Sequence, residues 1–216
     1  MSASLELLCR SCGAPFDAAL APLTCPSCKA LVPPHPSASS FVRLGLDRPR
    51  FVVDEKALEA SWLQRTRVVH PDRAVRKSDA ERRFAVEQTA ALNDAWRLVR
   101  IPFDRAALLL TTAGVPEPPL RQALLVAFIE AREEAESSPA HKAAVVADGV
   151  ARFEALMAKV EAELRIVDDV VGGYGNPSAE AVRLRQVGAL LAEARTLARL
   201  VDDLGGPRLL PSLTVR

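Results

Sequence analysis

Four cysteines, all that the chain contains, stand as Cys9-Arg-Ser-Cys12-Gly and Cys25-Pro-Ser-Cys28-Lys, with twelve residues between the pairs. A two-residue gap lets both thiolates of a pair reach one ion. Two such pairs at this separation match a four-cysteine zinc site built from two tight knuckles. Gly13 and Pro26 suit such turns. Four thiolates close the tetrahedral shell and leave no open position for a substrate, so the site reads as structural. An iron ion in the same cage or a redox dithiol is the competing use of these residues. Residues 1–32 are too few to build a core of their own, and metal binding would supply most of their folding energy.

A second group with chemical potential is Val69-His70-Pro71-Asp72-Arg73, with Arg65 and Arg67 before it and Arg76 and Lys77 after it. Proline cannot continue a helix and disfavours helix at the residue before it. A helix should therefore stop near Val69, leaving a polar, basic-flanked loop at the tip of a helical hairpin. No cysteine, serine or carboxylate partner pattern accompanies His70 that would give it a metal or nucleophile role.

The surrounding pattern supplies the elements that would hold these groups. Residues 33–40, Pro-Pro-His-Pro-Ser-Ala-Ser-Ser, read as a linker, with His35 a linker residue rather than a fifth ligand. Phe41 to Leu46 form a short helical turn ending at Gly45. Asp54 caps the next helix, which places Leu58, Trp62, Arg65 and Val69 on one face. Arg65 can pack its stem there and keep its head in water. Ser78-Asp-Ala-Glu81 is a capping box for a second long helix with Phe84, Ala91, Ala95 and Leu98 inward and Leu92 and Val99 flanking. Pro102 opens a further helix that Gly114 ends.

Pro116-Glu-Pro-Pro119 then begins a new unit of three helical patterns, about 120–136, 140–171 and 178–204. Their core positions are Leu124, Phe128, Ala131 and Ala135; Val146, Val150, Phe153, Met157, Val160, Leu164 and Val167; and Leu184, Val187, Leu191, Ala194, Leu197 and Val201. Gly172 to Pro177 form a turn cluster, and Ser178 caps the last helix. Short connections imply an antiparallel bundle. The fold class is thus all-α: a four-cysteine module (1–32), a linker (33–40), a helical hairpin domain (41–115), a three-helix bundle (116–206) and a loosely held tail (207–216).

Bulk composition narrows the function. The chain has 216 residues, 49% apolar but only 5% aromatic, so Ala, Leu and Val must fill the core. A net charge of +1 gives no general drive toward nucleic acid, and the stretch between the cysteine pairs lacks a basic or aromatic surface. Residues 1–119 carry 16 Lys/Arg against 13 Asp/Glu and residues 120–204 carry 10 against 14, which suggests two surfaces with different partners. No apolar run approaches the ~18 residues of a membrane span, and the first residues do not resemble a signal or transit peptide. The expectation is a cytoplasmic protein that binds neither membrane nor nucleic acid, whose cysteines hold metal rather than disulfides.

The stretch 41–114 resembles a J-domain, and in particular that of the HscB family, co-chaperones of iron–sulfur cluster assembly. The residues that carry the resemblance are Phe41-x-x-Leu44-Gly45-Leu46, Gln64-Arg65 before His70-Pro71-Asp72-Arg73, Leu92-Asn93-x-Ala95-Trp96, and Pro102-x-x-Arg105-Ala106-x-x-Leu109-Leu110-x-x-x-Gly114. The cysteine module is similar to one found in some members of that family. J-domains often carry Tyr and a basic residue just before the His, where this chain has Val69 and Val68, so Arg65, Arg67 and Arg73 must carry more of the basic face.

The resemblance implies a co-chaperone and not an enzyme. It would stimulate the ATPase of an HscA/DnaK-type chaperone through His70, Pro71, Asp72 and Arg73, with Arg65 and Arg67 steering. It also implies an apolar–acidic patch for the cluster scaffold protein IscU, which falls here on Leu125, Val126, Ile129, Glu130 and Glu133. Without the resemblance, the apolar members of that patch read as bundle core and the acids as a solvated edge. The alternative is a J-domain protein for other clients, with the zinc module as the contact to a client or to a second copy in a homodimer.

Overall fold

The computed structural model describes residues 5–169 and 177–211. Its elements are β1 (Glu6–Leu8), β2 (Pro15–Asp17), α1 (Ser40–Arg43), α2 (Glu55–Val69), α3 (Pro71–Ala74), α4 (Asp79–Arg100), α5 (Pro102–Thr112), α6 (Gln122–Ser137), α7 (Pro139–Asp169) and α8 (Pro177–Asp203). Among the described residues the fold is all-α apart from a small antiparallel ribbon in the cysteine module, where Glu6 faces Asp17, Leu7 faces Phe16 and Leu8 faces Pro15, and an isolated bridge between Thr24 and Leu31. The expected turn at Gly172 and the cap at Ser178 lie outside the described residues and side chains.

The chain divides into two compact units, Met1–Ile101 and Pro102–Arg216. In the first, α4 is the spine: α1, α2 and α3 all pack on it. The capping residues act as expected. Asp54 accepts from the amides of Lys56 and Ala57 at 3.0 and 3.1 Å; Ser78 Oγ accepts from the Glu81 amide at 3.3 Å and donates to the Glu81 carboxylate at 3.1 Å.

The inner face of α4 is not quite the one the apolar pattern predicts. Its buried residues are Phe84, Ala85, Gln88, Leu92, Ala95 and Val99, while Ala91 and Leu98 are only half-buried. The stripe is turned toward Leu92 and Val99 because Gln88, a polar residue, occupies its centre. A periodicity argument that scores only apolar residues passes over it.

The linker is more ordered than its composition suggests. Ala38 is buried, Ser39 caps α1, and the buried Arg43 guanidinium donates to the His35 carbonyl. His35 is turned to Ser37, with its Nδ1 2.7 Å from the hydroxyl, and takes no part in the cysteine cluster.

The second unit places α5 with the bundle, against α7 and α8. The expected domain edge at 115 therefore falls inside this unit, and the contacts divide the chain at Ile101/Pro102 instead. The pairs Glu163–Arg183, Arg152–Glu193 and Gly149–Val201 run in opposite directions along α7 and α8, so the two helices are antiparallel. α6 pairs with α7 in the same sense through the cluster Ala135, Val145 and Leu200.

The expected core positions of α8 are all buried. Those of α7 hold for Val160, Leu164 and Val167, but upstream the buried line is Val145, Gly149 and Leu156. Val146, Val150, Phe153 and Met157 sit half-buried beside it. The cause is Gly149, where a Cβ would come within 2.7 Å of a Val201 methyl. The glycine lets α8 approach closely and draws the core line through a residue with no hydropathy of its own. The tail is tied down as far as Leu210, which is 2% exposed, contrary to its expected looseness.

Candidate functional site

The four cysteine sulfurs lie within 4.8 Å of one another. Cys9 Sγ is 3.7 Å from Cys28 Sγ and Cys12 Sγ is 3.8 Å from Cys25 Sγ. A tetrahedron of thiolates with metal–sulfur bonds of about 2.3 Å has edges of about 3.8 Å, so the four groups already stand at the corners a zinc-sized ion requires.

Two equivalent turns hold them there. Gly13 N donates to Cys9 O at 2.8 Å and Cys9 N to Ala14 O at 2.9 Å; Lys29 N donates to Cys25 O at 3.0 Å and Cys25 N to Ala30 O at 2.8 Å. Both turns need a left-handed residue at the same place, Gly13 at φ +74° and Lys29 at φ +62°. Gly13 adopts this freely, whereas Lys29 accepts it at a cost.

The thiols are unequal. Backbone amides of Cys28 and Ser27 favour the Cys25 thiolate and pull its pKa down to about 6. At Cys12 the Ala14 amide also favours the thiolate, but the neighbouring sulfurs, with some desolvation, outweigh it and push the group up to about 11. Crowded sulfurs cannot all ionise together without a cation among them.

The His-Pro-Asp stretch is a turn of helix rather than an open loop. Pro71 occupies the first position of α3, as proline prefers, and His70 caps it, its Nδ1 accepting from the Asp72 amide at 3.3 Å. Arg73 reaches back to the Arg67 carbonyl at 3.2 Å. The Asp72 carboxylate is 90% exposed and stands 3.6 Å from His70 Nδ1. Leu63, Thr66, Arg67, His70, Asp72 and Arg73 line a shallow depression of about 350 Å³. Beneath the turn, Val69 and Ala74 are buried in a cluster with Leu31, Phe84, Ala85 and Leu92.

Arg65 is placed differently from its expected role. Its guanidinium donates to the carbonyl of Ala21 in the cysteine module at 3.0 Å, and burial lowers its pKa. It ties two parts of the first unit together, and the basic face beside the turn is left to Arg67 and Arg73. Two other residues share this work. The Gln88 amide, in a residue only 3% exposed, donates to Val32 O at 2.9 Å and Pro22 O at 3.4 Å. Glu81 accepts from the Leu31 amide at 3.2 Å. The signal for Gln88 was a glutamine in the middle of an apolar stripe, while Glu81 was read from the sequence only as part of a helix cap.

On α6, Leu124, Phe128 and Ala131 are half-buried and Ala135 buried, as expected. Leu125, Val126 and Ile129 are exposed, Ile129 to 60%, and Glu130 and Glu133 stand in solvent beside them. The helix thus turns one apolar line inward and carries a second outward with acids alongside.

No family model matches the chain. A co-chaperone protein HscB homolog from Burkholderia cenocepacia is 33% identical over an alignment spanning 62% of this chain and 79% of that protein. The chain belongs to the HscB co-chaperone family. The human iron–sulfur cluster co-chaperone protein HscB is 31% identical over 62% of this chain and 60% of its own length. The crystal structure of human HscB covers 92% of this chain with a TM-score of 0.73 at 21% identity, and 97% of that chain is matched. HscB from Vibrio cholerae covers 77% of this chain with a TM-score of 0.61 at 23% identity, and 95% of it is matched. Membership makes this chain a co-chaperone, not an enzyme, and the helical architecture is the one these structures share.

Proposed function

We propose that the chain stimulates the ATPase of an HscA/DnaK-type chaperone and delivers the iron–sulfur scaffold protein IscU to it, in support of iron–sulfur cluster assembly. The observation that carries the reading is the outward apolar line of α6. Leu125, Val126 and Ile129 leave apolar surface in water that the bundle core does not use, flanked by Glu130 and Glu133. Exposed apolar side chains grouped on one helix face, rimmed by charge, fit a partner-binding surface.

In this reading residues 41–115 act as the J-domain. Asp72 accepts charge-assisted hydrogen bonds from an arginine of the chaperone, Pro71 holds the first turn of α3, and His70 caps it. Arg67 and Arg73 steer the turn onto an acidic surface. Residues 116–206 hold the scaffold, and one chain carrying both sites raises the scaffold's effective concentration at the chaperone. Cys9, Cys12, Cys25 and Cys28 hold a structural zinc ion, and the setting is the cytoplasm. No described helix is long and apolar enough to cross a membrane.

Titration calorimetry of IscU against the chain tests the α6 surface. The expected result is saturable binding that Glu130→Ala abolishes without changing helix content by circular dichroism. Undiminished binding by Glu130→Ala would remove the scaffold from α6 and favour other clients.

A further inference from the structure

The cysteine module touches the rest of its unit in an unusual way. Its backbone is caught by side chains of α2 and α4: Arg65 on Ala21 O, Gln88 on Pro22 O and Val32 O, and Glu81 on the Leu31 amide. Leu31 of the module enters the buried cluster that also contains Val69 and Ala74, and the half-buried Leu23 packs against it. Val69 directly precedes His70, and Ala74 directly follows Arg73. The two anchors of the His-Pro-Asp turn therefore share a core with the module. The seam is not sealed, since a cleft of about 530 Å³ lined by Leu7, Phe16, Leu31, Val32, Ala80 and Phe84 runs along it. The polar ties, Leu31 with Leu23 beside it, and the Arg10 guanidinium over the Phe84 ring are what close it.

We propose that the module is a metal-dependent buttress of the His-Pro-Asp turn: occupancy of the cysteine cage sets how firmly residues 69–74 are held. The proposal rests on reading the cysteines as a metal site. The small ribbon β1–β2 and its few buried residues cannot hold the module folded alone, so loss of the ion releases Leu31. Four consequences follow at once. The cluster under the turn loses a buried leucine, Gln88 loses both its acceptors, Arg65 loses the Ala21 carbonyl, and Glu81 loses the Leu31 amide. Buried polar groups left without partners are costly, so the turn's anchors repack or open. The chaperone-facing geometry then responds to zinc supply or thiol oxidation at a site that never touches the chaperone.

Hydrogen exchange on the full chain tests this, with zinc content measured alongside. Three samples are compared: the metal-loaded chain, the chain after zinc removal by a chelator, and metal-loaded Leu31→Ala, which leaves every cysteine in place. The expected result is exchange at the amides of His70, Asp72 and Arg73 about ten-fold faster or more in the second and third samples. Leu31→Ala should keep its zinc, and amides of α7 and α8 should be unchanged throughout. Unchanged exchange at the turn in either altered sample would overturn the proposal, as would equal loss of protection in α8. A purified chain that binds no zinc would refute the metal reading, and the Leu31→Ala arm would still decide whether the module supports the turn.

Discussion

The His-Pro-Asp turn and the outer line of α6 are both exposed, yet they are built in opposite ways. The turn is polar, five residues long and set over a buried cluster whose members come from the cysteine module, α2, α3 and α4. The α6 line is apolar and rides on a helix whose inner face has one fully buried residue, Ala135. A polar surface over a firm base suits a contact in which orientation decides the outcome, because charge-assisted bonds depend on geometry. An apolar line on a lightly packed helix suits a contact in which area decides it. In the proposed function, one chain would grip a client by burial and address an ATPase by geometry.

The largest expected effect separates the two units. Leu164→Ala empties a fully buried site in α7 and should destabilise the second unit by about 2–5 kcal/mol. Both tryptophans, Trp62 and Trp96, lie in the first unit, stacked with ring centroids 5.0 Å apart. Urea unfolding followed by circular dichroism should shift strongly, while the tryptophan fluorescence transition should move less. Coincident shifts would show that the units unfold as one.

Next in size is Asp72→Asn. The side chain is almost fully in solvent, so stability should hold, but loss of a charge-assisted bond of about 1.5–3 kcal/mol predicts a ten- to hundred-fold rise in the concentration needed for half-maximal ATPase stimulation. IscU affinity should be unchanged. Ile129→Ala should do the reverse, weakening IscU by about ten-fold, as for an apolar contact of about 1–2 kcal/mol. Salt sharpens the contrast: raising ionic strength should weaken the chaperone interaction through Arg67 and Arg73 and leave the apolar contact largely intact.

How far this was legible in the sequence differs between regions for physical reasons. The cysteine cage could be read outright because thiolate spacing is dictated by the ion. The caps at Asp54 and Ser78 and the inward face of α8 followed from local rules and periodicity. The inward faces of α4 and the first half of α7 did not, because Gln88 and Gly149 sit at their centres and neither is apolar enough to mark a core. The contact of Arg65 could not be read because its partner is a backbone carbonyl forty-four positions away, and no local pattern encodes a carbonyl. The contact division at Ile101/Pro102 was not legible because Gly114 and Pro116 stop a helix without saying what that helix packs against.

The smallest expected effect concerns the seam itself. The Lys77 ammonium, with the Leu31 amide and the Ser78 hydroxyl, holds the Glu81 carboxyl below its ordinary pKa of 4.5 against a smaller effect of burial. A depressed carboxylate stabilises the fold fully above its unfolded-state pKa, and this is lost as pH falls through the folded-state value. Below about pH 4.5, Glu81→Gln should therefore show a shallower loss of stability than the parent chain in acid titrations followed by tryptophan fluorescence. Parallel curves would mean that Glu81 contributes little to the seam.

The central claim is that one chain couples a scaffold to an ATPase through the His-Pro-Asp turn. The most direct test is the steady-state ATPase rate of the HscA-type chaperone from the same organism, measured alone, with this chain, with IscU, and with both, each repeated with His70→Gln. The expected result is stimulation by the chain and IscU together that exceeds the sum of their separate effects and is lost in His70→Gln with IscU binding intact. A chaperone rate unchanged by the chain, or synergy that survives His70→Gln, would contradict it.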